Sequence, residues 1–258
     1  MNPTTPFSSC LKCAHAPLPA DQSLPAACPA CGLVLAKFGS APLPRGRRPE
    51  STRLDDAFRW LAGCVTRLPA RVDATGLWLR AGALALFAVW GLRLIAMDFR
   101  IGEIGASFLH GPLLVFHEAG HVIFMFLGEF VAIAGGTLMQ LIVPAVLCGA
   151  LLVKNRDPFG AAIGLWLVAV SLLDVAPYAY DALKPQLVLL GGHTGEEGGH
   201  DFVYLFTRMG LLSRAQGIGW LIHKLGAAVV LVSLYWAGWL LWQQRKRVAA
   251  NPLLDDQD

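Results

Sequence analysis

Residues 115–124 read VFHEAGHVIF, two histidines and a glutamate inside an otherwise apolar run. His117 and His121 are four residues apart, so on a helix they lie one turn above the other on the same face, with Glu118 beside them. This HExxH order is the one in which two imidazoles hold Zn²⁺ and the glutamate serves as general base toward water. The setting sharpens the pattern. A charged side chain at the centre of a bilayer costs roughly 2.5–3.5 kcal/mol, so such residues persist where they have partners or work. His110 lies two turns earlier and extends the same polar stripe. Polar side chains joining helices by hydrogen bonds would account for one histidine more readily than for three residues in this order.

A catalytic zinc usually takes a third protein ligand and leaves the fourth position to water. The segment SLLDVAPYAYDA offers Asp174 and Asp181, seven residues apart and roughly on one helical face. Pro177 between them is expected to distort the helix near the site. Beyond it the loop GGHTGEEGGHD adds His193, Glu196, Glu197, His200 and Asp201 among glycines; it could supply a ligand or form a gate. The glycine-rich stretch 134–137 is expected to offer a strand edge to an extended peptide.

A second constellation is made of sulfur. Cys10, Cys13, Cys28 and Cys31 form CLKC-x14-CPAC, whose four thiolates suit a closed tetrahedral zinc site better than disulfides in a reducing cytoplasm. A module of about 35 residues has too little core to fold alone, so a structural metal would supply its folding energy. Cys64 and Cys148 stand alone and read as small buried or interfacial residues.

The elements that must position these residues are apolar helices. The chain has 258 residues, 55% hydrophobic and 15% charged, where a soluble domain carries nearer a quarter charged. The net charge of +3 gives no footing for nucleic acid, and the cysteine module lacks interleaved arginine and aromatic residues. Five apolar segments follow, at 77–97, 104–127, 131–153, 159–180 and 225–242, each near the roughly 20 residues that cross a bilayer. Fold class is therefore mainly α: a polytopic helical membrane protein of 4–6 membrane segments behind a small N-terminal zinc ribbon. The expected organisation is a ribbon at 1–40 and a basic linker with an amphipathic surface helix at 41–76. A membrane domain at 77–243 and a cytoplasmic tail at 244–258 complete it. A further surface helix is expected near 202–212. Arginines crowd the stretch from Arg45 to Arg71, and Arg245, Lys246 and Arg247 follow the last segment. Such excess favours the cytoplasmic side, and no secretory signal precedes it, so the N-terminus is expected in the cytoplasm. Every basic cluster falls on one side if one of the first three segments fails to cross. The third, with Gly135, Gly136 and Pro144, is the leading suspect.

HEAGH in a membrane helix, followed by a glycine-containing segment and an aspartate on a later helix, resembles the site-2 protease family of intramembrane zinc metalloproteases. That family pairs HExxH with a later N-x-x-P-x-x-x-L-D-G. Here Asp174, Pro177 and Asp181 stand in a variant with Asp for Asn, one residue less between proline and aspartate, and Ala182 for the glycine. The resemblance implies zinc held by His117, His121 and Asp181, with Asp174 or His200 as alternatives, and Glu118 as the catalytic base. CPACGLVLAKFG is similar to bacterial zinc-ribbon tags, which implies a bacterial inner membrane and a cytoplasmic protein partner for the ribbon.

The function these readings imply is zinc-dependent hydrolysis of peptide bonds in or beside the bilayer, on a membrane protein or peptide. The alternatives are a non-catalytic membrane adaptor with a structural zinc ribbon, and a metal- or ion-handling membrane protein. Glu118→Gln separates the three: it stops hydrolysis, leaves an adaptor unchanged, and alters flux without a cleaved product in a transporter.

Overall fold

A computed structural model describes residues 7–10, 12–22, 26–35, 53–69 and 73–250. Residues 41–52 of the linker expected at 41–53 and the end of the tail, 251–258, lie outside them. The chain divides into two compact units, residues 1–59 and 60–258.

In the first unit each CxxC sits on a tight turn. Cys10 N–H donates to His15 O at 2.8 Å and Ala14 N–H to Cys10 O at 2.8 Å; Cys28 N–H donates to Leu33 O and Gly32 N–H to Cys28 O. Gly32 takes a φ of 70°, a left-handed conformation that a side chain would strain. An antiparallel bridge pairs Ala27 with Val34, and Cys10, Cys28 and Leu35 form a core too small to fold without help.

Helix α1 (Arg53–Val65) has the expected amphipathic spacing, with Leu54, Phe58 and Leu61 exposed. Its last residues belong to the second unit and meet that unit's final helix, α7 (Ala215–Ala250), where Trp236 Nε1 donates to Val65 O at 2.9 Å. The remaining helices are α2 (Ala74–Ala96), α3 (His110–Phe124), α4 (Glu129–Val153), α5 (Pro158–Asp181) and α6 (Asp201–Met209). Among the described residues there is no strand beyond isolated bridges. Helix α6 falls where a surface helix is expected. Helix α7 continues through the start of the expected tail, and Gln244 is buried there, accepting from Arg80 Nη1 at 2.9 Å.

Four helices, α2, α4, α5 and α7, are long and apolar enough to cross a membrane. Their contacts fix their directions. Arg80 meets Gln244 while Gly91 meets Val230, so α2 and α7 are antiparallel. Cys148 lies against Gly164 and Gln140 against Asp174, so α4 and α5 are antiparallel, and Gly219 at Tyr180 with Gly226 at Leu173 sets α7 against α5. Helix α5 is the axis: Ala161, Ala162, Trp166, Ala169, Leu173, Ala176 and Ala179 have no exposure. Small residues there let the neighbouring helices approach closely.

The segment that falls short is the second rather than the third. Apolar character runs on from 104 to 127, but 3-10 turns at Glu103–Ala106 and Met125–Leu127 and a positive φ at Gly128 cut the helix to 15 residues. At 1.5 Å per residue it rises about 22 Å, against roughly 30 Å of hydrocarbon. The suspected third segment is one continuous helix of 25 residues, with Pro144 inside it. Its glycines are there for contact: a Cβ on Gly120 of α3 would collide with Gly135 O, and one on Gly136 would lie 2.6 Å from His117 Nε2. Residues 134–137 are helical, so they offer no strand edge.

Candidate metal centre

The bare backbones at Gly135 and Gly136 let α3 lie close on α4, which brings His117 and His121 toward partners on that helix. His121 Nδ1 donates to Ala132 O at 2.9 Å, because a carbonyl can only accept. His117 Nδ1 faces Gln140 Oε1 at 3.1 Å, and Gln140 Nε2 donates to Asp174 Oδ2 at 2.8 Å. The carboxylate fixes which way the amide points, so His117 Nδ1 is also the protonated nitrogen. In the neutral ring each Nε2 then carries the lone pair, the tautomer that outer hydrogen bonds select in metal-binding histidines.

Those lone pairs converge. One ligand atom each from His117, Glu118 and His121 lies within 4.8 Å of the other two, a spacing that could hold a metal ion. Facing them from the start of α6 is Asp201, whose Oδ2 lies 2.9 Å from His117 Nε2 and 3.3 Å from His121 Nε2. A tetrahedron with vertices about 2.0 Å from its centre has edges of about 3.3 Å, so these contacts fit nitrogen and oxygen ligands of one zinc-sized ion. The donors open onto a cavity of about 690 Å³ lined by Glu118, His110, Tyr178, Leu187, Val188 and His193 among others. Glu118 is exposed there, with room for a water beside its carboxylate.

The other expected ligands are elsewhere. Asp181 accepts from Gln186 N–H at 2.9 Å and Leu187 N–H at 3.2 Å, so its carboxylate is spent on the loop that leaves α5. His200 lies beside Asp181, Nε2 to Oδ2 3.5 Å, while its Nδ1 accepts from Val203 N–H at the head of α6. Asp174 holds Gln140 on one side and His110 Nδ1 on the other at 2.9 Å, supporting His117 at one remove. Pro177 sits within a helix that continues to Asp181. Asp201 was visible in the sequence only as one polar residue in a loop that could supply a ligand.

The cysteine cluster is complete in its own unit. Cys10 Sγ lies 3.7 Å from Cys31 Sγ and Cys13 Sγ 3.7 Å from Cys28 Sγ, and all four sulfurs fall within 4.8 Å of one another. Disulfide sulfurs are about 2.05 Å apart, whereas sulfurs 2.3 Å from a central zinc have tetrahedral edges of about 3.8 Å. The Lys12 N–H, with that of Cys13, pulls the Cys10 thiol down to about 6, so one thiolate is ready at neutral pH. Such N–H contacts favour the charged sulfur that binds metal.

The chain matches no family model, no curated protein and no solved structure.

Proposed function

We propose that the chain is a zinc-dependent membrane peptidase resembling the site-2 protease family, with a structural zinc in its ribbon. The observation that carries this reading is the group His117, Glu118 and His121, whose ligand atoms lie within 4.8 Å of one another beside a cavity of about 690 Å³. Zinc held by His117 and His121 would polarise a scissile carbonyl and lower the pKa of a bound water toward 7. Glu118 accepts the proton of the attacking water and returns it to the leaving amine. His117 and His121 are kept in the binding tautomer by Gln140 and Ala132, so no side chain must reorient during the reaction.

Residues 187–190 support a peptide as substrate. They line the cavity, and Val188 among them pairs with Thr194 in an isolated antiparallel bridge. A peptide backbone drawn out of helical form can add to that bridge, in place of the edge expected at 134–137.

Four crossings by α2, α4, α5 and α7 bring the arginine-rich entry to α2, the turn at Lys154 and Arg156, and the cluster 245–247 to one side. By the excess of positive charge that side is the cytoplasm, and the loop 182–200 lies on the other.

The test is Glu118→Gln in the full chain, purified in detergent and assayed on β-casein and internally quenched peptides. Cleavage should fall by at least about 100-fold, the lower end of what a positioned acid–base group contributes, with zinc content unchanged. Cleavage equal to wild type would remove Glu118 from the chemistry; no cleavage by wild type, with zinc bound, would favour an adaptor or ion-handling role.

A further inference from the structure

We propose that Asp201 is the third protein ligand of the HEAGH metal, and that the metal thereby fastens the strap of residues 182–200 across the cavity. The inference rests on the metal reading above and goes beyond it in naming the ligand and what the ligand carries.

The geometry of the donors comes first. Two imidazoles whose Nδ1 protons are committed elsewhere present their Nε2 atoms to one carboxylate oxygen at 2.9 and 3.3 Å. With neutral rings these are three acceptors, so the close contact is held either by a proton on the imidazoles or by a metal ion, and a metal ion satisfies all three atoms at once. The backbone of Asp201 is also held in position. Its N–H donates to Tyr178 OH at 2.9 Å, and the Tyr178 ring stacks on His200 at 4.2 Å. The carboxylate therefore arrives at the imidazoles on a backbone that α5 pins.

The strap comes second. Asp181 clasps its near end through Gln186 and Leu187 and sits beside His200 at its far end. The strap turns back on itself at Gly192, Gly198 and Gly199, all at positive φ, and Gly195 packs so tightly that a Cβ would lie 2.7 Å from the His200 ring. Residues 187–191 and His193 form a wall of the cavity, so whatever fixes Asp201 fixes that wall. Asp181, the aspartate expected at the metal, instead contacts both ends of the segment that leads to Asp201.

The experiment uses the full chain in detergent, with zinc counted per chain and its affinity measured by competition with a chelating dye. Wild type should hold two zinc ions, and His117→Ala one. Asp201→Asn, close to isosteric, should weaken the second site by more than about 100-fold, beyond the 10–100-fold typical of an outer partner. Asp201→Cys, a ligand of other chemistry, should recover it. In parallel, an endoprotease specific for glutamate is applied at exposed Glu196 and Glu197. Zinc-loaded wild type should resist at that point and chelator-treated wild type should be cut, while Asp201→Asn is cut either way. A second zinc retained at wild-type affinity in Asp201→Asn overturns the ligand assignment. Cutting that ignores zinc in wild type overturns the fastening. One zinc in both wild type and His117→Ala instead sinks the metal reading itself, a different failure that takes this inference with it.

Discussion

One amide decides which nitrogen of His117 faces the cavity. Gln140 is 3% exposed and bonded at both ends, to His117 and to Asp174, so it has no freedom to flip. Gln140→Leu keeps the volume and removes both bonds. On the proposed two-zinc reading, the expected outcome is a 10–100-fold loss of affinity at the HEAGH site with the ribbon site unaffected, read by the same dye competition. On the same reading, Cys28→Ser should lose metal from the sulfur cluster alone and keep it at the HEAGH site, checked by metal counting on the two variants together with His117→Ala. At this scale the sequence disclosed the HEAGH residues and the four cysteines, since their partners are local and their spacing is diagnostic. It could not disclose Asp201. Asp174 and Asp181 share a helical face but lie about 10 Å apart along it, so periodicity cannot say which reaches α3. The residue that does so is 80 positions beyond His121 in a polar loop, where no period operates.

At the scale of the elements, the contact between α3 and α4 depends on having no side chain at Gly120, Gly135 and Gly136. Gly120→Val would drive two methyl groups toward the Gly135 carbonyl and Met139. The helices must part, at a cost of roughly 1–3 kcal/mol for overpacking, and the imidazoles move with α3. A lower midpoint of thermal unfolding together with loss of the second zinc is expected; an unchanged midpoint would show that this interface bears no strain. The pair of glycines was legible as a feature and misleading as to its meaning. Glycine weakens a helix in isolation but permits close approach between two, and only the partner decides which applies. The shortness of α3 was hidden for a related reason: hydropathy continues through 3-10 turns that end a helix without interrupting its apolar character.

For the whole molecule, the proposed arrangement has four crossings, by the four helices long and apolar enough to span, with α3 too short to add a fifth. Single cysteines placed at Asn155 and at Gly192, in a chain lacking Cys64 and Cys148, should be labelled by a membrane-impermeant maleimide from opposite faces of sealed vesicles. Asn155 should share its face with a tag at the N-terminus. Labelling of both from one face would refute the four-crossing arrangement. The number of spans came out of the sequence as a range because composition marks apolar segments without marking where each helix stops.

Helix α5 touches protein on nearly every side, whereas α2 turns Trp78, Leu79, Leu86, Val89 and Leu92 outward. The two helices therefore record substitutions at different rates. On α2 one large apolar residue can replace another with little consequence, and lineages of this chain should drift freely there. On α5 almost every change enlarges a residue that has no room to grow, so its alanines should outlast the outward-facing residues of α2 as copies of the sequence diverge.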